Sequence, residues 1–132
     1  MNRLKKFENF EEVKKILIYN DFIDSNFLGT SVDITKSNID NKIDIVTKEL
    51  QKHKPESISY FIHSSTLSKL KEYKEIFNGY IINIIDGVID DKSLEILKKL
   101  TIKDLAIYDI IKSDQKNGII KGSDRNYKFK IL

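Results

Sequence analysis

Two histidines, His53 and His63, are the residues of this 132-residue sequence whose ordinary charge change falls near neutral pH. Either type of group can act as a general base or a metal ligand. Both kinds of chemistry need partner groups at fixed spacing, and none is visible beside them in the sequence. His53 reads as the end of a helix, where a cation complements the dipole. His63 reads as the end of a strand, a position where ligands often bind. Asp86, Asp90 and Asp91 form the densest acidic cluster, at a strand-to-helix turn. Three carboxylates there could hold a divalent cation, but aspartates just ahead of a helix also cap it. Ser64, Ser65 and Thr66 read as ordinary caps that would also suit an anion. Glu72-x-Lys74 matches the last part of a metal-nuclease signature, yet it lies in a helix-periodic stretch and reads as exposed surface. The five glycines are scattered singly, so no phosphate-cradling loop is present, and the absence of cysteine excludes disulfides and thiolate chemistry. No catalytic residue, metal site or cofactor is expected.

The elements that would carry these residues follow from apolar spacing. Asn9-Phe10-Glu11-Glu12 has the form of a capping box, and Phe10, Val13, Ile16 and Leu17 continue at helical spacing, which predicts a helix over 9–19. Residues 20–29 read as a loop. Val32-Asp33-Ile34, Ile58-Ser59-Tyr60, Ile82-Asn83-Ile84, Leu105-Ala106-Ile107 and Tyr127-Lys128-Phe129 each place apolar residues at i and i+2. These segments recur every 22 to 26 residues. Such a period predicts stacked strand–helix units with right-handed connections and a mainly parallel sheet. Strands are expected at 31–35, 57–63, 80–85 and 103–111. Helical spacing at Ile39, Ile43, Val46 and Leu50 is stopped by Pro55. It recurs at Leu67, Leu70, Tyr73 and Phe77, closed by Asn78-Gly79, and again at Leu94, Leu97 and Leu100. Residues 112–132 read as short antiparallel strands. One α/β domain is expected, either a one-sided arc with an open sheet face or a doubly wound sheet.

Net charge is only +3, but Arg3, Lys5 and Lys6 lie at one end and six basic residues lie between Lys112 and Leu132. The span 7–111 holds 14 basic and 18 acidic residues. A basic tail can meet nucleic acid or an acidic protein, and lysines on a terminal strand also discourage edge-to-edge association. Tyr80–Ile85, the longest apolar run, is too short to span a membrane and is broken by Asn83. Glu8, Glu11 and Glu12 stand where a signal peptide would need its apolar core. A cytoplasmic protein is expected.

Leu97-x-x-Leu100-x-Ile102-x-x-Leu105-x-Ile107-x-x-Ile110 resembles a leucine-rich repeat, and the common period extends that likeness over roughly residues 31–110. The resemblance implies a curved repeat protein that binds other proteins. The stretch from Tyr80 to Leu94 is similar to the strand–turn–helix of STAS domains. It implies a regulatory fold acting through a partner, with a phosphoacceptor near Asp91 or Ser93. The usual Asp-Ser-Ser-Gly run of that family stands here as Asp90-Asp91-Lys92-Ser93.

Residues that alternate with the expected core form a candidate binding row. Ser59, Phe61, His63, Asn83, Ile85, Tyr108, Lys128 and Lys130 would share one sheet face, exposed if all helices lie on the other side. The leading expectation is a non-enzymatic protein-binding module, such as an inhibitor, immunity or phage–host interaction protein. A STAS-like regulator and an enzyme with an unrecognisable site are the alternatives. Nucleic acid ranks below these because arginine is scarce and the aromatics do not interleave with lysines.

Overall fold

The computed structural model describes residues 12–132. Along the chain lie β1 (Val13–Tyr19), β2 (Phe22–Phe27), β3 (Thr30–Thr35), α1 (Ile39–Leu50), α2 (Ile58–Asn78), β4 (Tyr80–Ile85), β5 (Val88–Ile89), α3 (Asp91–Lys99), α4 (Asp104–Lys112), β6 (Asn117–Lys121) and β7 (Asn126–Ile131). They form two compact units. Of the described residues, one unit combines 12–19 with Tyr80–Leu132, and the other is Asn20–Gly79.

The first unit is a five-stranded sheet of order β5-β4-β1-β7-β6, antiparallel at every pairing. Its middle strand, β1, lies where the sequence predicts a helix. The first residues of that expected helix, 9–11, fall outside the described residues. Val13, Ile16, Leu17 and Ile18 satisfy both a helical and an alternating period, and a run this short does not separate the two. Sheet pairing decides it. Ile16 stands opposite Ile82, and Ile18 stands opposite Phe129. All four are buried, whereas Val13 is 46% exposed, so β1 shows the two-residue alternation of a strand. β-Branched side chains also suit that pleated surface.

The strand–helix repeat is corrected in the same way. Residues 20–29 hold β2 and a tight turn. Residues 57–63, expected as a strand, are the N-cap and first turns of α2. Residues 103–111, expected as a strand, carry α4, whose Ile107 and Ile110 are buried three apart while Leu105 is 67% exposed. The recurring apolar triplets therefore belong to β3, α2, β4, α4 and β7, a mixture of helix and strand. The sheet is neither a parallel repeat arc nor the doubly wound or STAS-like alternative. The basic tail forms the antiparallel pair β6 and β7. β7 lies beside the central strand, and its Tyr127 and Phe129 are core residues.

Two local devices hold β4 in this sheet. Asp86 and Gly87, with φ of 51° and 82°, join β4 to β5 between the paired residues Ile85 and Val88. Positive φ at both central positions is the signature of a type I′ hairpin, for which Asp-Gly is well suited. The Asp86 carboxylate accepts from the Glu12 N–H at 2.9 Å, and the Asp86 N–H donates to the Glu12 carbonyl at 2.8 Å. The second device is the start of α3. Asp90 accepts from the Ser93 N–H at 2.8 Å as N-cap, and the buried Ser93 Oγ accepts from the Asn83 N–H at 2.8 Å. Hydrogen bonds from the Ser93 hydroxyl and N–H hold the Asp90 carboxyl below its ordinary range. The acidic turn is thus used by a hairpin and a cap.

The second unit is the β2–β3 hairpin with α1 and α2. Leu28 and Gly29, at φ of 51° and 88°, make its turn, and Gly29 N–H donates to Asn26 Oδ1 at 2.8 Å. Ile23, Ile34, Ile39, Val46, Leu70, Tyr73, Ile76 and Phe77 are its buried apolar residues. α1 packs on α2, and Lys74 Nζ meets Asp40 Oδ1 at 2.6 Å between them. Among the described residues, no helix is long and apolar enough to cross a membrane.

Two outcomes test these devices. Ser93→Ala should lose roughly 1–3 kcal/mol in urea unfolding, the cost of an unsatisfied buried N–H. The neighbouring Leu94→Ser, at a 40% exposed position, should fall well short of that. A depressed carboxyl pKa means stability that is present above the unfolded value and lost as pH falls through the folded one. Wild type should therefore exceed Asp90→Asn above about pH 5, and the difference should shrink as pH falls below the unfolded aspartate pKa of about 3.9. Parallel pH profiles would remove Asp90 as a stabilising charge.

Candidate functional site at the connection between α1 and α2

The end of α1 and the start of α2 are built by short-range hydrogen bonds. After Leu50, the N–H groups of Gln51, Lys52 and His53 donate to the carbonyls of Thr47, Glu49 and Leu50 at 3.3, 3.0 and 3.2 Å. The last two are three-residue closures, the tightening common at a helix end. Pro55 cannot continue the ladder. Ser57 then takes an extended conformation as N-cap of α2. Its Oγ accepts from the Tyr60 N–H at 3.1 Å and donates to the Lys54 carbonyl at 2.8 Å.

This connection brings together side chains that sequence spacing leaves apart. The His53 and His63 rings stack with centroids 5.1 Å apart and planes 28° from parallel. Glu49 completes the group, with one ligand atom from each residue within 4.8 Å of the others. All three residues are half-buried. His63 Nδ1 lies 2.6 Å from the Ser59 carbonyl, which can only accept. Nδ1 therefore carries the proton, and in the neutral ring the lone pair resides on Nε2. Lys52 Nζ is 3.0 Å from Glu49 Oε1. That hydrogen bond and charge, followed by His63 and His53, hold the Glu49 carboxyl below its ordinary range.

The same turn of α2 is apolar on its outside. Ile58 is 79%, Phe61 72% and Ile62 50% exposed. These residues fall at i, i+3 and i+4 and so share one face. Farther along the helix, Leu70, Tyr73, Ile76 and Phe77 are buried. α2 therefore changes character along its 21 residues, anchored at one end and exposed at the other.

The predicted binding row does not form a single sheet face. Ser59, Phe61 and His63 lie on α2 in the second unit. Tyr108 lies on α4, where its hydroxyl accepts from the Ile89 N–H at 3.4 Å. Asn83, Ile85, Lys128 and Lys130 do share a face, opposite the buried Ile82, Ile84 and Phe129, as their cross-strand partners Lys15, Val13, Tyr19 and Leu17 show. Ser64, Ser65 and Thr66 sit inside α2 and cap nothing; Thr66 Oγ1 donates to the Ile62 carbonyl at 2.9 Å. Glu72 and Lys74 are helix surface, as expected.

The Glu49–His53–His63 group is hidden in the sequence because residues 57–63 read as a strand. A strand would direct His63 away from the preceding helix. The available signal was Glu49 and His53 at i, i+4, followed by Pro55 and a serine cap at Ser57. Elsewhere, in the first unit, a concavity of about 520 Å³ is lined by Lys14, Ile16, Ile111, Ser113, Asp114, Gln115, Lys116, Ile131 and Leu132. Its titratable groups are lysines and one aspartate, a weaker chemical set than the two imidazoles and carboxylate.

No protein-family model, curated protein or solved structure matches the chain.

Capping rather than burial holds the front of α2, so Ser57→Ala should act there first. The expected loss is about 0.5–2 kcal/mol in urea unfolding, with amide exchange accelerated at residues 60–63 before residues 70–77. Uniform acceleration along α2 would show that the cap does not control the site locally.

Proposed function

We propose that this chain is a non-enzymatic protein-binding module that presents the front of α2 to an apolar groove on its partner. The observation that carries the reading is the exposure of Ile58, Phe61 and Ile62 on one face of one helical turn. Single exposed apolar residues are ordinary, whereas a contiguous apolar face on a soluble domain marks an interaction surface. The i, i+3, i+4 pattern is how amphipathic helices engage grooves, and an aromatic residue at the centre supplies the usual anchor. A cytoplasmic setting accords with the absence of cysteine. Inhibitor, immunity and phage–host interaction proteins are the classes this reading favours.

The test separates binding from folding. A photo-crosslinking residue at position 61, irradiated in the producing cells, should give a discrete protein adduct that the same residue at exposed Lys69 does not. With that partner purified, Phe61→Ala should weaken binding by about 2 kcal/mol or more, roughly thirtyfold, as for a central aromatic anchor. Its urea midpoint should stay near wild type, because an exposed side chain adds little to the core. Equal adducts at 61 and 69, or equal affinity of the variant, would exclude this turn as the interface.

A further inference from the structure

We propose that Glu49, His53 and His63 form a binding site for a divalent transition-metal ion of the Zn²⁺ class. The donor set is two imidazoles and one carboxylate, which suits borderline cations such as Zn²⁺. Ca²⁺ and Mg²⁺ favour more oxygen ligands than one glutamate offers. Three protein ligands leave the fourth position of a tetrahedral ion for water or an exogenous group. The half-buried placement of all three residues leaves that position reachable from solvent.

Geometry supports the assignment beyond proximity. Ligands 2.0–2.1 Å from a tetrahedral ion stand about 3.3 Å from one another. One donor atom of each residue already lies within 4.8 Å of the others, close to that spacing. The hydrogen bond from His63 Nδ1 to the Ser59 carbonyl at 2.6 Å is the outer-sphere contact typical of a metal-bound histidine, and it leaves Nε2 as the donor. Glu49 and His53 come from the end of α1 and the turn after it, and His63 comes from the second turn of α2. One ion would therefore bridge the two helices across Pro55. The competing contact is the pair between Glu49 and Lys52, both on a solvent-facing surface, where such pairs are weak.

This inference is independent of the apolar turn and its partner. The untagged full chain, treated with a chelator and dialysed, should bind Zn²⁺ at 1:1 in calorimetry. Co²⁺ should give the visible absorption of a low-symmetry four- or five-coordinate site. Saturating Ca²⁺ or Mg²⁺ should not displace it. His53→Asn and His63→Asn should each weaken Zn²⁺ binding by at least the roughly 10–100-fold that loss of an outer-sphere partner costs. Glu49→Gln should weaken it as well. Urea midpoints measured in chelator verify that each variant is folded. Should a variant fail to fold, ring resonances of the wild-type chain take its place, and both His53 and His63 should shift at one equivalent of Zn²⁺. Absence of 1:1 binding, unmoved histidine rings, or a His53→Asn/His63→Asn double variant that binds as wild type would each overturn the assignment.

Discussion

The first unit depends on the pairing of β1 along both its edges. Residues 13–18 register against 80–85 on one side, and residues 16–19 register against 128–131 on the other. No neighbour of this strand is local in sequence. The whole second unit, Asn20–Gly79, is inserted between β1 and the adjacent strand β4. Loop-closure entropy for these pairings must be met before the contacts repay it, which places the sheet among slow-forming topologies. The reciprocal hydrogen bonds between Glu12 and Asp86 set the register at one end of the pair. A slip of one residue would turn Ile16 and Ile18 out of the core, so sheet burial enforces the same register.

The local signals that were legible in the sequence are those that complete themselves within a few residues. Tyr80–Ile85 reads as a strand and is one. Asp90 reads as a cap and accepts from Ser93. Asn78-Gly79 reads as a helix end, and Gly79 takes a φ of 90° with its N–H on the Glu75 carbonyl at 3.0 Å. Residues 112–132 read as short antiparallel strands, and β6 and β7 pair there. In each case the deciding chemistry is a side chain, a missing Cβ or a short alternation, all visible without knowing the partner.

β1, α4 and the front of α2 were illegible for a common reason. Each is a short apolar segment that fits both periods, and distant packing selects between them. Leu105-Ala106-Ile107 would bury Leu105 and Ile107 together in a strand, but the helix buries Ile107 with Ile110 instead. Ile58-Ser59-Tyr60 looks extended by residue type, yet the Ser57 cap and Pro55 locally favour a helix start. The charge of Asp86 draws attention to this turn, although Asp86-Gly87 is better evidence for a two-residue hairpin. That hairpin is what makes an antiparallel neighbour of β4, and recognising it would have argued against a purely parallel sheet.

The candidate site was hidden by the same ambiguity, and its position follows from how α2 is stabilised. Burial of Leu70, Tyr73, Ile76 and Phe77 secures one end of the helix, so the other end need not contribute core residues. An isolated helix turn is marginal in water. The front of α2 instead relies on Ser57, its contact to the Lys54 carbonyl, and continuity with the anchored end. That division frees His63 to stack on His53 and leaves Ile58, Phe61 and Ile62 facing solvent. A side chain needed for the core could do neither. Chemistry-bearing residues are therefore concentrated in this unit where local capping replaces burial, and the change along α2 marks the boundary between the part that folds the unit and the part available to a ligand.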